Sequence, residues 1–142
     1  MKITTNATSN QGLAVEHFMH WEREYSQKIY MTQPFPDGRV IDYSWSEVGN
    51  LARRFANYLV SLKLPQGSHI ALLGKNSAHW IMADLGIWMA GHVSVPIYPT
   101  ANAETVSYIL EHSDSKLLVL GKLDGISDCW LSICHDLPIE IG

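Results

Sequence analysis

The chain has 142 residues, enough for one domain around one core or for one piece of a larger body. With 46% hydrophobic and 17% charged residues it has an ordinary globular composition, and a formal charge of -4 with no basic run leaves no electrostatic footprint for nucleic acid. The longest apolar runs, Ile70 to Gly74 and Leu85 to Gly91, fall far short of the roughly 20 residues a membrane span needs, and the N-terminus lacks the apolar stretch of a secretory signal. No transmembrane segment is expected, and the chain is expected in the cytoplasm, at most touching the inner face of a membrane from the side.

Residues 1–12 are polar and rich in Thr, Asn and Ser, and are expected to form a flexible lead-in. From Leu13 to Ser26, the residues Leu13, Val15, Phe18, Met19 and Trp21 recur among Glu16, Glu22, Arg23 and Glu24, which predicts a first helix. Ile29 to Met31 and Arg39 to Tyr43 flank the turn cluster Pro34-Phe35-Pro36-Asp37-Gly38, which predicts a β-hairpin. Ser44-Trp45-Ser46-Glu47 has the form of a capping box and should open a helix through Val48, Leu51, Ala52, Phe55, Leu59 and Leu62, with Pro65 and Gly67 beyond its end.

His69 to Leu73, bounded by Gly67 and Gly74, reads as a buried strand. Asn76 or Ser77 then caps a helix whose Trp80, Ile81, Leu85, Trp88 and Met89 cover more than one face, so it is packed on more than one side. Gly91 supplies the left-handed residue that ends it, and Val93 to Ile97 forms the next strand, with Pro96 unsuited to an ordinary central ladder position. Asn102 caps a helix through Val106, Ile109 and Leu110, and Lys116 to Leu120 is a last strand closed by Gly121. The alternation defines an α/β fold: a partly parallel sheet with crossover helices, plus an N-terminal helix and β-hairpin. It spans residues 13–121, and residues 122–142 read as a truncated connection.

Chemistry is scarce along this scaffold. Gly67 and Gly74 are too far apart for a phosphate loop, Asn76 stands where its hydroxyl would be, and no Gly-x-Gly-x-x-Gly occurs. His17 and His20 lie one helical turn apart near Glu16, Glu22 and Glu24, a list that a solvated helix face also produces, so no metal site is assigned. His69, His79, His92, His112 and His135 sit at element ends, where capping or solvent contact accounts for them, and Cys129 and Cys134 read as free thiols. Asp84 lies in an otherwise apolar helix and is expected to have a structural partner. Trp80 and Trp88 on either side of it are expected in the core. No catalytic or cofactor-binding residue is assigned. In open α/β sheets ligands gather beyond the carboxyl ends of strands, which makes Thr100, after Tyr98-Pro99, and Asn76, with Lys75 at the same corner, the substrate-site candidates.

From Ser44 onward the sequence resembles the N-terminal part of the adenylate-forming (AMP-binding) superfamily, in particular long-chain fatty acyl-CoA synthetases. The resemblance rests on Tyr43-Ser44-Trp45-Ser46-Glu47, on Gly67 to Leu73, on Lys75 to Trp80, and most strongly on Ala83 to Thr100. It continues through Glu104-Thr105-Val106, Ile109 to Ser113 and Lys116 to Leu120. It implies an enzyme that joins a fatty acid to ATP with Mg, forms an acyl adenylate and passes the acyl group to coenzyme A. Such chemistry calls for a hydroxyl- and glycine-rich phosphate loop, an acid for the ribose, a carboxylate for the metal and a lysine on a mobile domain. None of these motifs occurs in the 142 residues. The expectation is therefore an N-terminal scaffold fragment, inactive alone, whose partner is the remainder of the synthetase. Its uncovered apolar surface would favour self-association. The alternative is an independent α/β ligand-binding or interaction module without catalysis.

Overall fold

A computed structural model describes residues 13–121. The expected lead-in over 1–12 and connection over 122–142, with Cys129, Cys134 and His135, lie outside the described residues. Helix α1 (Ala14–Tyr25) begins where the Glu16 carboxylate reaches back to accept the Leu13 amide at 3.1 Å, and it buries Phe18. Strands β1 (Ile29–Pro34) and β2 (Val40–Ser44) form the antiparallel hairpin. The first strand runs further than Met31 because pairing continues through Gln33 with Ile41 to Pro34 with Val40, and Thr32 donates to Asp42 across the pair at 2.6 Å.

Helix α2 (Trp45–Ser61) opens on the expected reciprocal cap: the Ser44 amide donates to Glu47 Oε2 at 2.7 Å and the Glu47 amide to Ser44 Oγ at 3.3 Å. The Ser44 backbone amide and, after it, the Ser44 hydroxyl, which donates to Glu47 Oε2 at 2.8 Å, hold the Glu47 carboxyl below its ordinary pKa. At the other end Lys63 adopts the left-handed conformation at φ 53°, a position more often given to glycine, so the helix stops before Pro65. Phe18, Tyr30 and Trp45 pack ring against ring, with the last two stacked at 3.9 Å between centroids, and this seats α1 on the hairpin and the start of α2.

A forked ion pair locks α1 to α2. Arg53 Nη1 and Nη2 donate to Glu22 Oε2 and Oε1 at 2.9 and 2.6 Å, with the Glu22 side chain only 12% exposed. The carboxylate sits where Gly49 leaves space, since a Cβ on Gly49 would stand 2.0 Å from Glu22 Oε1. A glycine inside a helix costs about 1 kcal/mol against alanine. Here it makes room for the ion pair.

Strands β3 (His69–Leu73), β4 (Val93–Ile97) and β5 (Leu117–Leu120) form a parallel sheet in the order β4-β3-β5, connected through α3 (Ala78–Met89) and α4 (Ala103–His112). Pro96 stands on β4, at the edge of the described sheet, where a proline is tolerated. Alternate residues of β3 serve opposite layers. Ile70 and Leu72 pack with Leu59 of α2 and Ile87 of α3, while Ala71 and Leu73 pack with Ile97 and with Val106 of α4. A third cluster of Phe18, Val48, Ala52, Met82 and Leu85 joins α1 and α2 to the other side of α3, so α3 is packed on two sides as its sequence suggests. Helices α2 and α3 come close at Gly86, where a Cβ would lie 2.9 Å from the Ala52 carbonyl oxygen.

The Gly49 arrangement yields a test against helix propensity. Gly49→Ala is expected to destabilise the chain by about 1–3 kcal/mol, the range for overpacking a filled contact. The double variant with Glu22→Ala should lose less than the sum of the two single losses. Urea unfolding of the four proteins measures both effects, and additive losses would show that Glu22 does not fill the Gly49 space.

Candidate functional site

The strands β3 and β4 are neighbours, yet their following helices go to opposite faces of the sheet. The loops leaving their carboxyl ends diverge, and a crevice opens between them, as at the switch point of any doubly wound sheet. From β3 the chain runs Gly74-Lys75-Asn76-Ser77 into α3, and from β4 it runs Tyr98-Pro99-Thr100-Ala101-Asn102 into α4. A hollow of about 230 Å³ lies there, lined by Gly74, Asn76, Trp80, Ile97, Tyr98 and Pro99 among others. A second, of about 350 Å³, lies between the ends of β3 and β5 and the hairpin turn, with Gln33, Phe35, Lys75, Asn76, Trp80 and Leu120 in its walls. Asn76 and Trp80 belong to both and stand between them.

Backbone contact fixes the floor of the larger hollow. The Gly121 amide donates to the Leu73 carbonyl at 2.7 Å, and a Cβ on Gly74 would meet Gly121 Cα at 2.9 Å. The two glycines therefore do more than close strands. They let the carboxyl ends of β3 and β5 touch.

The N-terminus of α3 faces the same region, and two of its first three amides are engaged. Gln33 Oε1, on β1, accepts the Ala78 amide at 2.9 Å, and Ser77 Oγ accepts the Trp80 amide at 3.1 Å. Ser77, rather than Asn76, is thus the cap of this helix. Amides already bonded to the chain's own side chains do not form an open cradle for phosphate. No three His, Cys, Asp or Glu side chains converge to hold a metal ion among the described residues.

Of the residues singled out from sequence, Asn76 lines both hollows and Lys75 the larger one. Thr100 is exposed and lines neither. Trp80 packs against the Leu59, Ile70, Leu72 and Ile87 core, as expected, while forming a wall of the site. Trp88 departs from expectation: it is 39% exposed, because the α3 face it occupies looks onto a groove beside α1. His79 meets Tyr43 edge to face and His112 stacks on Tyr108. His69 Nδ1 contacts the Ser113 carbonyl. His92 closes α3 through its backbone amide, which donates to the Ile87 carbonyl at 3.1 Å, but its side chain is not solvated: it is 8% exposed and Nδ1 has no hydrogen-bond partner among the described residues. Gln33, His79 and the hairpin turn were not among the sequence candidates. Gln33 reaches its partner across 45 positions, a contact that no local pattern announces.

Asp84 also differs from the expected paired carboxylate. Its Oδ1 is buried with no hydrogen-bond partner, as is Ser94 Oγ on β4. Burial pushes the Asp84 carboxyl above its ordinary pKa, and the nearby Ser94 hydroxyl offsets part of that shift without closing a bond of ordinary geometry.

The fold and its carboxyl-end crevice define a doubly wound α/β unit of the kind that adenylate-forming enzymes carry. The structure of the anthranilate CoA ligase AuaEII in complex with anthranoyl-AMP matches 87% of this chain and 23% of its own, with a TM-score of 0.69 and 25% identity. The N-terminal domain of FACL13 from Mycobacterium tuberculosis shares the fold, with a TM-score of 0.65 and 24% identity over 78% of this chain and 27% of its own. The model of the AMP-binding enzyme family matches residues 18–136, and the chain belongs to that family. Its relatives include long chain acyl-CoA synthetase 6, peroxisomal, of Arabidopsis thaliana, 32% identical over 101 residues that cover 69% of this chain and 14% of the relative. Another is the long-chain-fatty-acid-CoA ligase FadD15 of Mycobacterium tuberculosis, 29% identical over 109 residues, or 77% of this chain and 18% of the relative. The chain spans less than a fifth of the length of these two relatives.

A carboxyl whose pKa is raised by folding binds its proton more tightly in the folded state. Its ionisation therefore costs stability, fully so above the raised pKa and not at all below the unfolded one. Asp84→Asn is expected to stabilise the chain at pH 7, with the gain shrinking as pH falls into the ordinary carboxylate range. Thermal unfolding at pH 7 and pH 4 measures this, and a loss at pH 7 would mean that Asp84 has a stabilising partner.

Proposed function

We propose that the chain is the N-terminal scaffold of a long-chain fatty acid-CoA ligase. In the whole enzyme, ATP, Mg and a fatty acid would give an acyl adenylate, which coenzyme A would then convert to the thioester. The observation that carries this reading is the match of the AMP-binding family model to residues 18–136, supported by relatives named as long-chain fatty acyl-CoA ligases. The role of this part is mechanical. Its sheet and the three clusters around α3 hold the crevice walls, Asn76 and Trp80 among them, against which the remainder of the synthetase packs.

The 142 residues by themselves are inactive in this reading. The Ala78 and Trp80 amides at the α3 N-terminus, taken up by Gln33 and Ser77, support it. No helix among the described residues is long and apolar enough to cross a membrane. The proposed setting is the cytoplasm, with contact to the inner membrane face at most peripheral. Exposed apolar side chains such as Val60, Val93 and Tyr98 on the isolated chain favour self-association.

ATP-pyrophosphate exchange with a long-chain fatty acid tests the reading directly. The purified 142-residue chain is expected to show no exchange above background, and ATP no saturable binding in a calorimeter. Turnover would overturn the scaffold assignment, whereas tight ATP binding without turnover would favour an independent ligand-binding module.

A further inference from the structure

We propose that the groove between α1, the hairpin and α3 is a binding site for a small soluble organic cation of the quaternary or N-methylated ammonium type. The groove has a volume of about 400 Å³, which suits a small molecule. Its walls are Phe18 and Trp21 of α1, Tyr30 of β1, Trp45 of α2, and Asp84 and Trp88 of α3. It lies on the α1 side of α3, whereas the crevice lies at the carboxyl ends of the strands.

Two features of the groove point to a cation. The rings are held: Tyr30 and Trp45 stack at 3.9 Å, Phe18 tilts against both at 5.7 and 5.5 Å, and Trp21 lies parallel to Tyr25 at 5.3 Å. Trp21 and Trp88 nonetheless remain 41% and 39% exposed at the rim, two large apolar rings left to water. The second feature is charge. Among the residues lining the groove Asp84 is the only carboxylate and no lysine or arginine accompanies it, with His17 and the Tyr30 phenol the other titratable side chains. Asp84 is half-buried, its Oδ1 has no hydrogen-bond partner among the described residues, the Ser94 hydroxyl offsets only part of the burial, and no cationic side chain lines the groove beside it.

The ligand class follows from what such a site leaves unsatisfied. Aromatic faces carry negative potential and attract a cation held within about 6 Å, most strongly where water is excluded. An anion is repelled by Asp84, and a neutral alkyl or aromatic group buries apolar area while leaving the carboxylate uncompensated. A primary ammonium or a guanidinium brings several N–H donors that rings cannot accept well. An alkylated ammonium has few or none, presents methyl groups to the rings, and supplies the missing charge.

The test uses choline and its neutral isostere 3,3-dimethyl-1-butanol as probes. Each is titrated into the 142-residue chain at pH 8 and constant ionic strength, with calorimetry and tryptophan fluorescence as readouts. The expected result is saturable choline binding, at least about tenfold tighter than that of the alcohol. Asp84→Asn should remove that preference while leaving the alcohol's weak binding unchanged. Circular dichroism checks the fold of the variant. Should it fail to fold, the choline-to-alcohol ratio of the unaltered chain decides, together with Trp88→Ala at the exposed rim, expected to weaken choline several-fold. Equal affinities for the two probes, an unchanged ratio in Asp84→Asn, or no saturable choline binding up to about 50 mM, beyond the weakest affinity such a cage supports, would overturn the proposal.

Discussion

The burial of β3 on both faces is the constraint on which the rest of the structure depends. A strand with solvent on one side alternates apolar and polar residues, but His69 to Leu73 spends Ile70 and Leu72 on one helical layer and Ala71 and Leu73 on the other. Helices must therefore cover both faces, and with β4 and β5 on either side of β3 the connections go to opposite layers. The crevice at the carboxyl ends is a geometric by-product of that division of labour. A polar residue at any of the four inward positions would remove both the core and the reason for the crevice.

Close approach is the second theme, and it is achieved by leaving side chains out. Gly86 lets α3 reach the α2 backbone, Gly74 and Gly121 let two strand ends touch, and Gly49 opens the space that the Glu22 carboxylate fills. In each case the missing Cβ is worth more as room than it costs in backbone freedom. The forked Glu22 and Arg53 pair differs from the exposed Arg39 and Asp37 or Lys116 and Asp114 pairs because its carboxylate is largely shielded from water. It fixes a helix crossing rather than decorating a surface.

Most of the elements were legible from local pattern. The Ser44 box, the β3 and β4 boundaries, the Gly91 stop and the Asn102 cap are each written in four to six adjacent residues, and the structure places them where those residues say. The strand order is not written locally, nor is the contact of Gln33 with Ala78, since both depend on what meets across tens of residues. The walls of the hollows were legible in part. The strand-end rule pointed to Asn76 and Lys75, which line the hollows, but it carries no information on which loop residue turns inward, and Thr100 faces solvent. Trp88 is exposed against expectation because helical spacing cannot say which side of a doubly packed helix ends in a groove.

The bond from Ala78 to Gln33 places the first amide of α3 under the control of a strand in the other sheet. The hairpin turn forms one wall of the larger hollow, and that hollow cannot widen toward the helix N-terminus unless Gln33 lets go. The position of the hairpin and the filling of the hollow are therefore thermodynamically linked. Whatever occupies the hollow by displacing Gln33 loosens the hairpin, and whatever holds the hairpin down weakens that occupant by the same free energy.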